Sequence, residues 1–171
     1  MKRMILLPLF CLASLIMVNA QKFAMIDMEY IMENIPEYQH ANNELELASQ
    51  QFQKAIEAKA KEAETLYLAY QKASNSLSAT QRTQKEEAIV AKEKEVAELR
   101  RMYFGPEGEM AKKEEALIAP IQNRIYEAVK QISMQKGYDA VIDRASATSI
   151  IFASPRIDIS NEVLAKLGYS N

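Results

Sequence analysis

Tyr103-Phe104-Gly105-Pro106-Glu107-Gly108-Glu109-Met110 interrupts a sequence that reads as long helix on both sides. No other glycine lies between Tyr38 and Gln135. The stretch is the turn of a helical hairpin, a linker between domains, or a break inside an arm, and the fold depends on which. Ser74-Asn75-Ser76-Leu77-Ser78-Ala79-Thr80 competes for the turn, because its residues bond their own backbone and form helix poorly. Arm lengths decide. A turn at Gly105 leaves a first arm, Gln39 to Phe104, of roughly 100 Å against a return of about 40 Å, stranding most of the apolar stripe. A turn near Leu77 gives arms Gln39–Ala73 and Thr80–Ala119 of roughly 50–60 Å each. The tip is therefore expected at 74–80 and a kink at 105–108. Pro106 removes a donor and crowds the preceding turn, while Glu107 and Glu109 suit a restarting helix. Pro120 is expected to mark a second bend. Gly105, Pro106, Gly108 and Pro120 are the candidate hinge or kink positions, either bends of passive shape or a hinge that lets the arm flex.

Region 39–119 is rich in Ala, Glu, Lys and Gln, the composition of long exposed helices. Leu45, Ala48, Phe52, Ala55, Ala63, Leu66, Tyr70, Ala73 and Leu77 recur at mostly heptad-like steps, with Lys59 as a gap. Ala88, Ala91, Val96, Leu99 and Met102 resume the stripe on the return. A seam so thin and alanine-rich joins two helices but makes no wide core.

The two ends differ from this. Region 21–38 opens with Phe23-Ala24-Met25-Ile26, a candidate strand, followed by Asp27 as helix cap and Met28, Ile31, Met32 and Ile35 at helical spacing. Pro36 closes that helix. In region 120–171, Ile121, Ile125, Ala128, Val129 and Ile132 form a helical face ended by Gly137. Tyr138–Ile142 and Ser149–Ala153 are expected as strands joined by a turn. Ser160 is expected to cap a last helix bearing Val163, Leu164 and Leu167, with Gly168 ending it. The expected class is α+β: a small β-strand body from both chain ends with a long antiparallel, coiled-coil-like helical hairpin protruding from it. A body of about 70 residues is marginal alone, and its sheet edges need cover, so self-association is expected.

Residues 1–20 read as a signal peptide. Lys2 and Arg3 precede the apolar run Met4–Met17, and Val18-Asn19-Ala20 supplies the small residues before a mature start at Gln21. The run is shorter than the ~20 residues of a spanning helix. The periplasm or secretion is the expected destination. Cys11, the only cysteine, falls within this segment, so no disulfide is expected. Taking Lys2 and Arg3 from 21 basic residues against 23 acidic ones leaves a net charge of about −4, which gives nucleic-acid binding no support.

Chemistry is sparse. His40 stands alone, no histidine cluster suits zinc, and Asp139 and Asp143 suit structural or capping roles beside a strand. Gly105 and Gly108 lack the lysine and preceding strand of a phosphate loop. No catalytic residue, metal ligand or cofactor is expected, and the chain does not read as an enzyme. A two-helix arm without a third layer suits binding instead. No acidic residue lies between Glu64 and Glu86, whereas Lys72, Arg82 and Lys85 do, so the tip is basic on an acidic chain. It is a solvated turn or a contact for an anionic partner, whether client protein or lipid headgroup. Tyr67 and Tyr70 offer amphipathic contact surface nearby.

KFAMIDMEYIMENIPEY at 22–38, ALIAPIQNRIYEAVKQISMQKGYDAVIDRAS at 116–146 and IDISNEVLAKLGY at 157–169, around the long hairpin, resemble the Skp (OmpH) family of periplasmic chaperones. The resemblance spans nearly the whole mature chain, and FGPEGEM looks like the variant returning arm of Bacteroidetes-type members. It implies a homotrimer whose strands share a barrel-like body and whose arms enclose a cavity. It also implies a holdase that binds unfolded outer-membrane proteins without ATP in the periplasm and prevents their aggregation. On this resemblance Met25, Ile26, Val141, Ile142, Ile151 and Phe152 match the trimer-assembling strands. One departure stands out: well-known members are strongly basic, and this chain is not. The alternative expectation is an envelope scaffolding protein whose arms join a fixed partner.

Overall fold

The computed structural model describes residues 21–147 and 149–169; the expected signal segment, 1–20, lies outside them. The chain is mostly helical with one small sheet. Strand β1 (Phe23–Ile26) leads to helix α1 (Met28–Glu33) and then α2 (Pro36–Ala73). A 3-10 turn at Ser74–Ser76 precedes α3 (Ala79–Phe104), and α4 (Glu109–Lys136) follows the glycine–proline stretch. Strand β2 (Ala140–Asp143), a 3-10 turn at Pro155–Ile157 and α5 (Ser160–Leu167) complete it.

Local chemistry accounts for most of these boundaries. The Asp27 carboxylate accepts from the Tyr30 amide and starts α1. Pro36 takes the first position of α2, where its missing N–H costs nothing. At the far end of α2 the Ser74 and Ser76 hydroxyls donate to the carbonyls of Gln71 and Ala73, groups the helix itself leaves unpaired. Ser78 and Gln81 then form a reciprocal capping box that restarts the chain as α3. Gly137 and Gly168 end α4 and α5 in the left-handed region, at φ 67° and 91°. There the amides of Tyr138 and Tyr169 bond back to the carbonyls of Ser133 and Leu164.

Helix α2 has 38 residues, about 57 Å. Its contacts fall in a strict order. Tyr70 meets Glu86, Glu62 meets Lys92, Phe52 meets Tyr103, Glu44 meets Lys113 and Glu37 meets Arg124. The partner number rises as the α2 number falls, across α3 and on into α4. The glycine–proline stretch is thus a four-residue break on the returning side, opposite an uninterrupted α2. Pro120 sits inside α4 and does not divide it.

The seam differs by one residue from the expected one. Ala41, Ala48, Ile56 and Ala63 are buried on α2, and Ile89 and Val96 on α3; Ala88, Ala91 and Met102 are exposed. From Ala48 the buried side steps four residues to Phe52 and four more to Ile56. A strict heptad points to Ala55 there, so the helix face drifts past the expected stripe.

Both chain ends meet in one core. Ala24, Ile26, Ile31, Ile35 and Ala41 pack with Ile121, Ile125, Ala128 and Ile132 of α4 and with Ile159, Val163 and Leu164. The sheet is two-stranded and parallel, pairing Phe23 with Ala140 through Ile26 with Asp143. Parallel strands require a crossover, and here that crossover is everything from α1 to α4. Three corrections follow. β2 starts at Ala140, because Tyr138 belongs to the α4 cap and the Asp139 amide bonds the Lys22 carbonyl. Ser149–Ala153 forms no strand, since no segment among the described residues supplies its ladder. What lies beside β1 instead is an isolated parallel bridge from Met25 to Asp158. Ser160 is the first residue of α5, not its side-chain cap.

Ile125 is fully buried, whereas Leu47 on α2 is 59% exposed. Urea unfolding at one fixed chain concentration will show Ile125→Ala costing about 2–5 kcal/mol and Leu47→Ala within about 0.5 kcal/mol. Equal losses would place the core elsewhere.

Candidate functional site

Where the sheet ends, four helix and strand termini converge on one polar knot. The Arg144 guanidinium lies 2.9 Å from Asp27 Oδ2 and 3.6 Å from Asp158 Oδ2. The Asp27 amide donates to Ser160 Oγ at 2.9 Å, and that hydroxyl donates to Asp158 Oδ1 at 2.6 Å. The Met28 amide donates to Asp143 Oδ1, while the Arg144 amide donates to the Ile26 carbonyl. These bonds join α1 and α5 to the end of the sheet. Among the described residues no cluster of carboxylate, histidine or cysteine side chains could hold a metal ion. Asp143 caps α1 and Asp139 accepts from the Lys22 amide. The Tyr30 amide bond, then the Arg144 hydrogen bond and charge, hold the Asp27 carboxyl below its ordinary range against a smaller opposing effect of burial.

A second clasp ties the last described residue to the root of α2. Arg124 donates to Glu37 at 3.1 Å and to the Tyr169 hydroxyl at 2.8 Å. That hydroxyl in turn donates to Glu37 at 2.8 Å. The Tyr169 bond first, and Arg124 after it, pull the Glu37 carboxyl down. Glu37 also lies in the first turn of α2, where the helix dipole favours its charge.

The long helices present a different surface. Lys72, in the last turn of α2, and Arg82 and Lys85, early in α3, are all exposed around the 3-10 turn. Tyr70 donates to Glu86 across the two helices, and this bond raises the Tyr70 hydroxyl above its usual range. Tyr67 accepts from Gln71 and lines a shallow groove with Ala60, Ala63, Val96 and Arg100. The two tyrosines therefore separate: Tyr70 braces the helices, and Tyr67 faces outward at 47% exposure. Leu66 and Leu68 are exposed beside it. From 64 to 88 no described residue is buried.

A groove of about 890 Å³ opens beside the break. Leu99, Met102, Gly105 and Pro106 form its apolar part, and Glu98 and Lys112 stand among its charged lining. Nothing in the sequence marked this groove, because it is a gap left by the break rather than a motif.

The residues that resemblance assigns to assembly differ in exposure, although Met25, Ile26, Val141 and Ile142 share the two-stranded sheet. Met25 and Ile26 are already covered within a single chain, at 4% and 5% exposure. Val141 is partly buried against the core. Ile142 is exposed on β2, and Ile151 and Phe152 stand out at 101% and 83%.

The described residues thus form a pair of long helices rooted in a small parallel sheet. The family of outer membrane proteins described as OmpH-like matches residues 22–167, and the chain belongs to it. It is 26% identical over 156 residues to the chaperone protein Skp of Yersinia enterocolitica, covering 91% of this chain and 92% of that one. Its fold is that of a crystal structure described as an outer membrane chaperone (OmpH-like) of Caulobacter crescentus. The TM-score is 0.65 at 13% identity, over 86% of this chain and 84% of that one. No helix among the described residues is long and apolar enough to cross a membrane.

The Asp27 carboxyl is depressed on folding, so it adds stability above its unfolded value near 3.8. That contribution disappears as pH falls through the lower folded value. In urea titrations the stability gap between the parent chain and Asp27→Asn will narrow steadily from pH 5 to pH 2. A gap that stays constant over that range would show that the carboxylate charge contributes nothing.

Proposed function

We propose that this chain is an ATP-independent holdase chaperone, not an enzyme, that binds unfolded outer-membrane proteins in the periplasm and keeps them from aggregating. The carrying observation is the two-helix layer itself. Its outer stretch, 64–88, buries no described side chain yet exposes Leu66, Tyr67 and Leu68, so its apolar surface is available to something else. Family membership and the chaperone named among its relatives support the same reading. In this reading residues 39–119 are an antiparallel hairpin arm with its tip at 74–80, and 21–38 with 120–169 are the body. Confinement between arms supplies the holding: many weak contacts, each worth little, restrain a client without fixing its shape. Gly105, Pro106 and Gly108 lie along the returning side of that arm, and Pro120 stands where it enters the body.

Assembly as a homotrimer through the body belongs to the same proposal. Ile151 and Phe152 project from a stretch that forms no strand among the described residues, and Ile142 is exposed on β2. A strand-forming sequence left unpaired in one chain is a template for pairing with another. Lys72, Arg82 and Lys85 add a basic tip, on a chain of net negative charge, suited to an anionic client segment or an anionic membrane surface. Export by a cleaved signal at 1–20 supplies the location.

Diluting a urea-unfolded outer-membrane barrel into the purified protein will leave the client soluble at about one trimer per client. Unchanged light scattering at several-fold excess would sink the holdase reading. Independently, light scattering after size exclusion will give the mass of three chains for the parent and of one for Ile151→Asp/Phe152→Asp. A parent that runs as one chain removes the trimer, and a double variant that keeps the mass of three removes these residues from its interface.

A further inference from the structure

A glycine–proline break in a long helix is ordinarily its loosest point. This one is built otherwise. Gly105 and Gly108 have ordinary backbone angles, φ −66° and −75°, so neither serves a left-handed turn. They provide space. A Cβ on Gly105 would stand 2.3 Å from the Arg101 carbonyl oxygen. One on Gly108 would stand 2.8 Å from the Met102 oxygen and 2.9 Å from the Gly105 nitrogen. These are main-chain atoms and cannot swing aside. Gly108 is itself buried.

The amides of the break are also bonded. Gly105 donates to Arg101 at 2.9 Å, Gly108 to Gly105 at 2.9 Å and Lys112 to Gly108 at 3.1 Å. Across the gap α2 runs on without interruption. Its Phe52 ring stacks on Tyr103 at 4.2 Å with 6° between planes, and meets Phe104 edge-on at 6.2 Å. Such aromatic pairs add roughly 0.5–1.5 kcal/mol beyond the area they bury. Glu44 pairs with Lys113 one turn past the break. The break is thus clamped on one side by aromatic rings and on the other by an ion pair, both anchored on a continuous helix. Rotation at 105–108 would have to unstack Phe52 and open main-chain contacts too close for any other residue.

We propose that residues 103–112 form a rigid joint, splinted by α2 through Phe52, which sets one fixed relation between α3 and α4 and does not act as a hinge. Glycine is there for close main-chain approach, and Phe52 is the positioning residue. Of the two readings of Gly105, Pro106 and Gly108 that the sequence leaves open, a passive bend and a flexing hinge, this takes the first, and it does not depend on what the long helices hold.

Residue-resolved hydrogen exchange on the whole exported chain tests it. The amides of Gly105, Gly108 and Lys112 will exchange at least about tenfold more slowly than those of 64–88, where nothing is buried. Exchange at 105–112 as fast as at 64–88 overturns the proposal. Phe52→Ala will speed exchange at 105–112 by about tenfold while leaving Ile121–Ile132 unchanged, because the core makes no use of that ring. No change at 105–112 in this variant overturns the splint. Gly108→Ala, where it folds, will speed the same amides, and a variant with parental exchange there removes the steric argument.

Discussion

Everything in this molecule follows from closing the two ends of the chain into one core. Strand β1 pairs with β2 in parallel, Ala24 beside Val141 and Met25 beside Ile142. Parallel pairing forbids a short return. The residues between must leave the sheet and come back, and their composition lets them do so only as helix. The Arg144 knot and the Glu37–Arg124–Tyr169 clasp then hold the departing and returning helices to the same root. Remove the shared core and the long helices have nothing to stand on.

The energetics of the two parts differ accordingly. The core is aliphatic and closely surrounded, with Ile31, Ile35, Ile125 and Val163 almost completely buried. Between the long helices the buried residues are few, Ala48, Ile56 and Ala63 on α2 and Ile89 and Val96 on α3, spaced about two turns apart along each helix. Apolar burial stabilises in proportion to area, at roughly 25 cal/mol per Å², and an alanine brings little of it. Such a layer stays together without becoming a second core. Its strongest local attachment is the aromatic cluster of Phe52, Tyr103 and Phe104, which sits where the returning helix is cut.

Much of this was legible in the residues. Asp27 as a cap, the close of the first helix before Pro36, the helix face from Ile121 to Ile132 and the glycine stops at 137 and 168 are local signals, and each acts within a turn of itself. What could not be read depends on distant partners. Ser149–Ala153 has strand chemistry but no neighbouring strand, and pattern alone does not reveal a missing neighbour. Asp27 and Arg144 are 117 positions apart, so their pairing left no trace in spacing. Ile56 and Ile89 were each missed by one residue, because a stripe extended by fixed steps accumulates the difference between a straight helix and a heptad. Of the surface residues, composition found the exposed cations at Lys72, Arg82 and Lys85, but the different roles of Tyr67 and Tyr70 needed geometry.

The parallel pairing of β1 with β2 also dictates an order of events during synthesis. A polypeptide is released from its amino end, so Phe23–Ile26 appears first and its mate at 140–143 more than a hundred residues later. For that interval the first strand is an apolar segment with no edge to join. The long helices, whose contacts with themselves are local, can form while it waits. Only the arrival of the carboxy-terminal third completes the ladder and seals Ala24 and Ile26 from water, so the first strand is among the last segments to find its place.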